Sequence, residues 1–275
     1  MILVVGANGM LGRDLMTLLG DRGRGVDIDG IDITSLESVE RVLTAVRPAV
    51  VINCAAYTDV DGCESNQETA MQVNGEGVGH LAMASRTIGA RLVQISSDYV
   101  FDGSKGTPYR EDDAPNPLSV YGESKLAGEM NAAVNPDHLI VRTQWLYGLH
   151  GKNFVETMLR LGSERDELSV VDDQIGSPTW TVDLAHAVVA LLEKGCRGVY
   201  HAANEGYCSW NDFARAIFQE AGMTVKVTAM TTEQLNRPAR RPLYSTLECG
   251  KLAHDGGYRL QPWRDALRSY LKLRK

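Results

Sequence analysis

Long apolar runs and excess positive charge are both missing from this chain of 275 residues. No stretch approaches the roughly 20 apolar residues that a membrane-spanning helix needs, and no basic region precedes the first apolar run, MILVV. The 28 basic residues are outnumbered by 35 acidic ones, for a net charge of -7. Surfaces that bind nucleic acid or anionic lipid need clustered basic side chains. We therefore expect a cytoplasmic protein with neither partner.

Cysteine and histidine are scarce and scattered. The five cysteines are odd in number and lack the spacing of zinc ligands, which argues against a disulfide framework and a zinc site. The six histidines form no HxxxH or HExxH pair that would place two ligands on one helix face. We predict a site without metal and interpret these residues as structural.

Short apolar runs alternate with helix-period segments through the first half of the chain. The predicted strands are 2–5, 26–28, 49–52, 92–95 and 139–141, and the predicted helices are 10–19, 36–46, 64–88 and 120–133. This alternation is typical of βαβ units, so we predict an α/β fold with a Rossmann-type, doubly wound parallel sheet. The polar, proline-bearing stretch 103–119 is predicted to be a long loop above the strand ends.

The pattern loosens after about residue 150. Helix-period segments at 153–161, 182–193, 210–220 and 263–273 are separated by short apolar pieces at 168–171 and 199–201. We predict a dinucleotide-binding domain over 1–150 and a smaller α/β substrate-binding lobe over 151–275. Interleaving of the two is left open.

A glycine-rich loop follows the first predicted strand and opens a helix. Its GxxGxxG pattern comprises Gly6, Asn8, Gly9, Met10, Leu11 and Gly12. Glycines permit a tight turn and a close approach of the backbone, so that the helix N-terminus can bind a pyrophosphate. Alone, the pattern fits a tight strand-to-helix turn equally well.

Acidic and small residues near the next two strands support a dinucleotide site. Asp27 lies 21 positions after Gly6, close to the spacing at which an acid meets the adenosine ribose. Asp29 and Asp32 are alternatives for that role, and Arg13, Arg22 or Arg24 could instead receive a 2′-phosphate, so the choice between NADH and NADPH stays open. We assign to the cofactor site Asp27, Asp32, Ile33, Cys54, Ala55, Ala56 and Tyr57.

Tyr121 and Lys125 form a YxxxK pair at the head of a predicted helix. Residues four apart share a helix face, so the ammonium is expected near the phenol, where it would stabilise the ionised form. Ser97 follows the fourth predicted strand and should meet this pair at the carboxyl ends of the strands, where open α/β sheets bind ligands. Each feature alone also has a structural explanation, a surface tyrosine or a turn-capping serine.

The ordered set of glycine loop, acid, serine and YxxxK resembles the extended short-chain dehydrogenase/reductase family. Within it, the chain is similar to the dTDP-4-dehydrorhamnose reductases in five motifs and in a C-terminal segment. They are INCAAYTDVD (52–61), SSDYVFDG (96–103), PLSVYGESKLAGE (117–129), VRTQWLYG (141–148), DDQIGSPT (172–179) and RPARRPLYSTLECGKL (237–252).

The resemblance implies NAD(P)H-dependent reduction of the C4 keto group of dTDP-4-dehydro-L-rhamnose, a step towards dTDP-rhamnose and cell-surface polysaccharides such as lipopolysaccharide. It implies Tyr121 as the proton donor and Lys125 as its activator and a cofactor ligand. Ser97 stands where the family usually has threonine and would stabilise the oxyanion. The implied substrate-binding residues are Ser97, Asp98, Tyr99, Tyr121, Trp145 and, for the diphosphate, Arg240 or Arg241.

Other functions are compatible with the same resemblance. Another extended-family epimerase or dehydratase would keep its nicotinamide bound and recycle it, and a regulatory subunit of the methionine adenosyltransferase type would bind a partner instead. Some relatives dimerise through magnesium held by glutamates. Here the shorter Asp14 stands at one such position, which weakens the expectation of bound Mg²⁺ and leaves a homodimer open.

Overall fold

The computed structural model describes residues 1–274. Its strands are β1 (Ile2–Val5), β2 (Gly23–Val26), β3 (Val50–Asn53), β4 (Arg91–Ser97), β5 (His138–Thr143), β6 (Leu146–Tyr147), β7 (Glu167–Val171), β8 (Ile175–Gly176), β9 (Thr179–Trp180), β10 (Gly198–His201), β11 (Cys208–Ser209) and β12 (Lys226–Met230). Six of them form a parallel sheet in the order β10-β5-β4-β3-β1-β2. Because the strand order reverses between β3 and β1, a crevice opens at their carboxyl ends.

Helices cover both faces of this sheet. The helices are α1 (Met10–Leu19), α2 (Leu36–Val46), α3 (Val60–Ser65), α4 (Gln67–Met71), α5 (Gly77–Thr87), α6 (Val120–Ala132), α7 (Phe154–Glu164), α8 (Thr181–Glu193), α9 (Trp210–Ala221), α10 (Thr232–Leu235) and α11 (Trp263–Leu273). Successive residues of a strand face opposite sides. Val4 therefore joins the core beneath α1 and α8, and Leu3 joins the core beneath α2 and α5. The predicted doubly wound fold is confirmed.

The second half of the chain has an apolar cluster of its own. Helices α7, α9 and α11 pack together with β7 and β12 around Val155, Phe213, Leu267 and Tyr270, all buried. The same half also supplies β10, which pairs with β5 as the outermost strand of the central sheet. The two halves are thus joined by a shared sheet, and the boundary near residue 150 stays a prediction. Among residues 1–274, every helix is too short or too polar to span a bilayer.

Several predicted bounds differ by a few residues from those observed, and two of these differences have an identifiable cause. The second strand ends at Val26 rather than at residue 28, because the Asp27 carboxylate accepts the N–H groups of Asn8 (2.8 Å) and Ile28 (2.9 Å) and the chain turns away. The predicted helix 64–88 is divided into α3, α4 and α5, with a π-helical turn (Gln72–Glu76) between the last two. In this turn the buried Asn74 binds the backbone of Tyr57 and the hydroxyl of Ser124.

Candidate active site

The glycine loop joins β1 to α1 in a conformation that requires its glycines. Gly6 has a φ of 76°, and a Cβ there would lie 2.7 Å from the backbone N of Ala55. At Gly12 a Cβ would lie 2.2 Å from the carbonyl O of Gly6. Helix α1 begins after Gly9 with no side-chain cap. The N–H groups of its first turn are therefore free to bind an anion.

Two adjoining cavities meet at this loop. Both are lined by Gly9, Cys54 and Ala56. One, of about 290 Å³, extends to Gly6, Asp27, Asp32, Ile33 and Ala55. The other, of about 630 Å³, extends to Met10, Leu11, Gly12, Ser97, Asp98, Tyr99, Tyr121, Lys125 and Trp145. An elongated ligand can therefore run from the end of β2, past the α1 N-terminus, to the YxxxK pair. This is the shape that a dinucleotide requires.

Acidic and basic groups share the outer end of this path. Asn8, Arg13 and Asp27 line a shallow groove beside the loop, and the Arg13 Nε donates to the carbonyl of Asn8 at 3.1 Å. Arg22 instead pairs with Glu193 at 3.2 Å. An acid that can bind ribose hydroxyls and a guanidinium that can bind a phosphate thus lie together, which fits either nicotinamide cofactor.

The first turn of α6 brings the YxxxK pair against the end of β4. The Ser119 hydroxyl caps the helix by accepting the N–H of Gly122 at 3.2 Å. A Cβ at Gly122 would lie 2.3 Å from the carbonyl O of Tyr99, so only glycine permits this approach. The ring of Tyr121 consequently meets that of Tyr99 edge to face, with centroids 5.3 Å apart.

Burial governs the proton affinities of the pair. Burial raises the pKa of Tyr121 above its ordinary value, against the opposing effect of a hydrogen bond with Ser97. The sequence predicted the opposite, that Lys125 would lower the pKa of the phenol. The raised pKa keeps the phenol protonated, as a proton donor must be. Burial lowers the pKa of Lys125 to about 8, and its ammonium donates to the carbonyl of Ile95 at 2.8 Å.

Four of the residues considered for the site line neither cavity: Asn8, which lines only the neighbouring groove, and Tyr57, Arg240 and Arg241. Tyr57 does not line either cavity, and its backbone N–H donates to Asn74 at 2.8 Å. Arg241 lies next to Tyr99, and its guanidinium donates to the Asp61 carboxylate at 3.0 Å and to the carbonyl of Ala239 at 3.0 Å. Arg240 is exposed. The diphosphate role of either arginine stays a prediction.

The structure adds residues that sequence reasoning missed. Trp210, Gln144, His150 and Lys152 line the larger cavity. Trp145 has a φ of 48°, unusual for a residue with a bulky side chain, and such strain is concentrated at functional sites. Gln144 lies within the motif VRTQWLYG (141–148), but nothing in the local sequence distinguishes Trp210, His150 and Lys152 from core or surface positions. Among residues 1–274, no cluster of three or more acidic, histidine or cysteine side chains could hold a metal ion.

Known proteins resemble this chain over nearly its whole length. A family model described as the RmlD substrate binding domain matches residues 1–275. A dTDP-4-dehydrorhamnose reductase of Streptomyces griseus is 48% identical over 96% of this chain and 91% of its own. Its counterpart from Clostridium acetobutylicum superposes with a TM-score of 0.97 at 46% identity, covering 99% of this chain and 98% of its own.

A third relative carries a cofactor. The dTDP-4-dehydrorhamnose reductase of Bacillus anthracis, solved in complex with NADP, has a TM-score of 0.96 at 41% identity and covers 99% of this chain and 98% of its own. The resemblance drawn from the motifs is thus confirmed. The chain belongs to the RmlD substrate-binding-domain family of extended short-chain dehydrogenases/reductases.

Proposed function

We propose that this protein is an NAD(P)H-dependent oxidoreductase that reduces dTDP-4-dehydro-L-rhamnose to dTDP-L-rhamnose. One observation carries the proposal: Ser97, Tyr121 and Lys125 line the same cavity as the N-terminus of α1. A hydride donor seated on the glycine loop would therefore share this cavity with a proton donor. The names of the Streptomyces griseus and Bacillus anthracis relatives supply the substrate and the cofactor class.

The chain's own residues would divide the chemistry as follows. When bound, the reduced nicotinamide supplies a hydride to the C4 carbonyl carbon. Tyr121 donates a proton to the carbonyl oxygen, a contribution typically worth about 10²–10⁴-fold in rate. Ser97 donates a hydrogen bond to the same oxygen as negative charge develops on it. Lys125, buried beside them, would orient the ribose next to the nicotinamide.

The cavity residues suggest where each part of the ligands would bind. The uncapped first turn of α1 would hold the pyrophosphate, with Asp27, Asp32 and Ile33 at the adenosine end and Cys54 and Ala56 nearer the nicotinamide. Asp98, Tyr99 and Trp145 would surround the sugar. Arg241 would reach the substrate diphosphate only by leaving Asp61.

The test is a spectrophotometric assay of cofactor oxidation at about 340 nm, the absorbance of reduced nicotinamide, with dTDP-4-dehydro-L-rhamnose and each cofactor in turn. We expect stoichiometric consumption of NADH or NADPH. Conversion of the sugar without net consumption would identify an epimerase or a dehydratase instead. Absence of turnover, together with a stoichiometric partner in co-purification, would identify a regulatory subunit.

A further inference from the structure

A buried chain of hydrogen bonds leads away from the reacting centre. The Ser97 hydroxyl donates to the Asp98 carboxylate Oδ1 at 3.0 Å, and the Ser245 hydroxyl donates to Oδ2 at 2.6 Å. Ser97, Asp98 and Ser245 are all buried, with Asp98 only 1% exposed. Ser245 is 147 positions from Asp98 in sequence, so tertiary folding places a second donor on this carboxylate.

The Ser97 hydroxyl has one hydrogen to donate, and the Asp98 carboxylate competes for it with the carbonyl oxygen of a substrate. An ionised carboxylate only accepts hydrogen bonds, so ionised Asp98 takes the hydrogen of Ser97. The Ser97 oxygen meanwhile accepts the backbone N–H of Tyr99 at 3.2 Å. In this state Ser97 has no hydrogen left for the carbonyl oxygen of a substrate, which is the role it has in the proposed reaction.

Protonation of Asp98 reverses this bond. A carboxyl group with its proton on Oδ1 donates to the Ser97 oxygen, whose two lone pairs then serve Asp98 and the Tyr99 N–H. The hydrogen of Ser97 is released towards the cavity, where it can reach the Tyr121 oxygen and the carbonyl oxygen of a substrate bound beside it. Ser245 continues to donate to Oδ2 in both states and keeps the carboxyl group oriented.

We propose that Asp98 is a positioning residue whose protonation turns the Ser97 hydroxyl towards the substrate carbonyl, with Ser245 holding the opposite carboxyl oxygen. This inference rests on the proposed reductase function. It assigns to Asp98 a role beyond lining the sugar pocket, and to Ser245 a role in the site. The protonated form of Asp98 is the form that supports reduction.

The surroundings of Asp98 favour such a switch. Burial raises its pKa to about 6, and hydrogen bonds from Ser245 and Ser97 only partly offset this. The titratable groups that face it are the phenols of Tyr99, on the same turn, and Tyr121, on α6. A nucleotide sugar would add negative charge and remove water from the cavity, and both effects raise the pKa further.

The experiment compares the pH dependence of kcat in the wild type with that of Asp98→Asn. The asparagine amide donates to Ser97 and its carbonyl accepts from Ser245, so it mimics the protonated carboxyl group at every pH. We expect the wild-type kcat to fall about tenfold per pH unit above the pKa of Asp98 in the complex. That fall should be absent in Asp98→Asn. Asp102→Asn is the matched control, because the Asp102 carboxylate binds Ser104 and Asn116 and not Ser97. The fall in kcat should persist in this variant.

Ser245→Ala gives a second test that does not depend on the stability of Asp98→Asn. Because the Ser245 hydrogen bond lowers the pKa of Asp98, its loss should move the fall in kcat to higher pH. The ¹³C carboxyl signal of Asp98 should titrate near pH 6 in the wild type and at higher pH in Ser245→Ala. If the wild type is active and the pH dependence of kcat is the same in Asp98→Asn and Ser245→Ala as in the wild type, this inference alone is overturned. If the wild type reduces no 4-keto nucleotide sugar, the proposed function is overturned.

Discussion

Trp145 stacks on Trp210 with their ring centroids 3.6 Å apart and their planes 10° from parallel. Trp145 comes from the chain just after β5, whereas Trp210 begins α9, and both rings line the cavity of the YxxxK pair. A Cβ at Gly176 would lie 2.5 Å from the Trp145 ring, so a glycine makes room for it. The stack therefore joins the first half of the chain to the second half along one wall of the cavity.

We predict that Trp210→Ala raises KM more than it lowers kcat. The alanine removes the support of Trp145, which faces the proposed sugar site. A stacked aromatic pair contributes about 0.5–1.5 kcal/mol beyond its buried area, so KM should rise about two- to tenfold. Steady-state kinetics would measure this. Trp210→Phe keeps an aromatic face and serves as the control. A KM for Trp210→Ala equal to that of the wild type would contradict the assignment.

Gly12→Ala should damage both the fold and the cofactor site. Its Cβ would lie 2.2 Å from the carbonyl O of Gly6, so α1 must shift away from the loop that it supports. Overpacking of this kind costs about 1–3 kcal/mol. Urea unfolding would measure the loss of stability, and fluorescence titration would measure the weaker cofactor binding that should accompany it.

The control for this change is Gly79→Ala, in α5. A Cβ there meets nothing closer than 3.6 Å, and alanine is a better helix former than glycine by about 1 kcal/mol. Gly79→Ala should therefore leave stability unchanged or increased. Equal losses in the two variants would show that the close approach at Gly12 has no special importance.

The buried ion pair beneath the site should be sensitive to neutralisation. Glu129, one helical turn beyond Lys125, binds the Arg142 guanidinium through both oxygens at 2.9 and 2.7 Å, and both side chains are buried. Glu129→Gln leaves the cation of Arg142 without its counter-charge, and we expect a loss of about 3–5 kcal/mol in the free energy of unfolding. Neutralising an exposed pair through Glu164→Gln, which removes the partner of Arg160, should cost about 1 kcal/mol or less. Similar costs for both would contradict the account.

Cofactor binding should weaken as pH rises through about 8. Burial lowers the pKa of Lys125 to about 8, and the charge of Glu129 only partly opposes this. The ammonium is present below that pH and is lost above it, so a ligand that binds the charged form loses affinity on the alkaline side. Fluorescence titration of the reduced cofactor on both sides of pH 8 measures the effect. Lys125→Met should bind weakly at every pH, and a wild-type affinity that does not change with pH would count against a role for the ammonium.

Local patterns predicted most of the central sheet but not where chain segments far apart in sequence meet. Helices α1, α2 and α11 have their predicted bounds because their apolar periodicity is regular. Strand β12 was missed because KVTAM is short and partly exposed, and only its pairing with β7 defines it. The helix predicted over 64–88 is interrupted where Asn74 binds Tyr57 and Ser124, contacts that no periodicity reveals.

Some residues of the candidate site could likewise be predicted from local patterns, and others could not. Gly6, Gly12 and the YxxxK pair belong to short patterns whose spacing has a physical reason, and they could be found from sequence alone. Trp210 and Ser245 reach the site only through tertiary packing, so they could not. The Asp61 carboxylate pairs with Arg241 from 180 positions away, and this pairing keeps the guanidinium out of the cavity lining.

The central claim is that the Tyr121 phenol donates a proton to the substrate beside a bound nicotinamide. Tyr121→Phe keeps the ring that packs against Tyr99 and removes only the hydroxyl. The most direct measurement is single-turnover reduction by this variant together with its cofactor affinity. The account predicts a loss of about 10²–10⁴-fold in the reduction rate with nearly unchanged cofactor binding. A rate close to that of the wild type would contradict it.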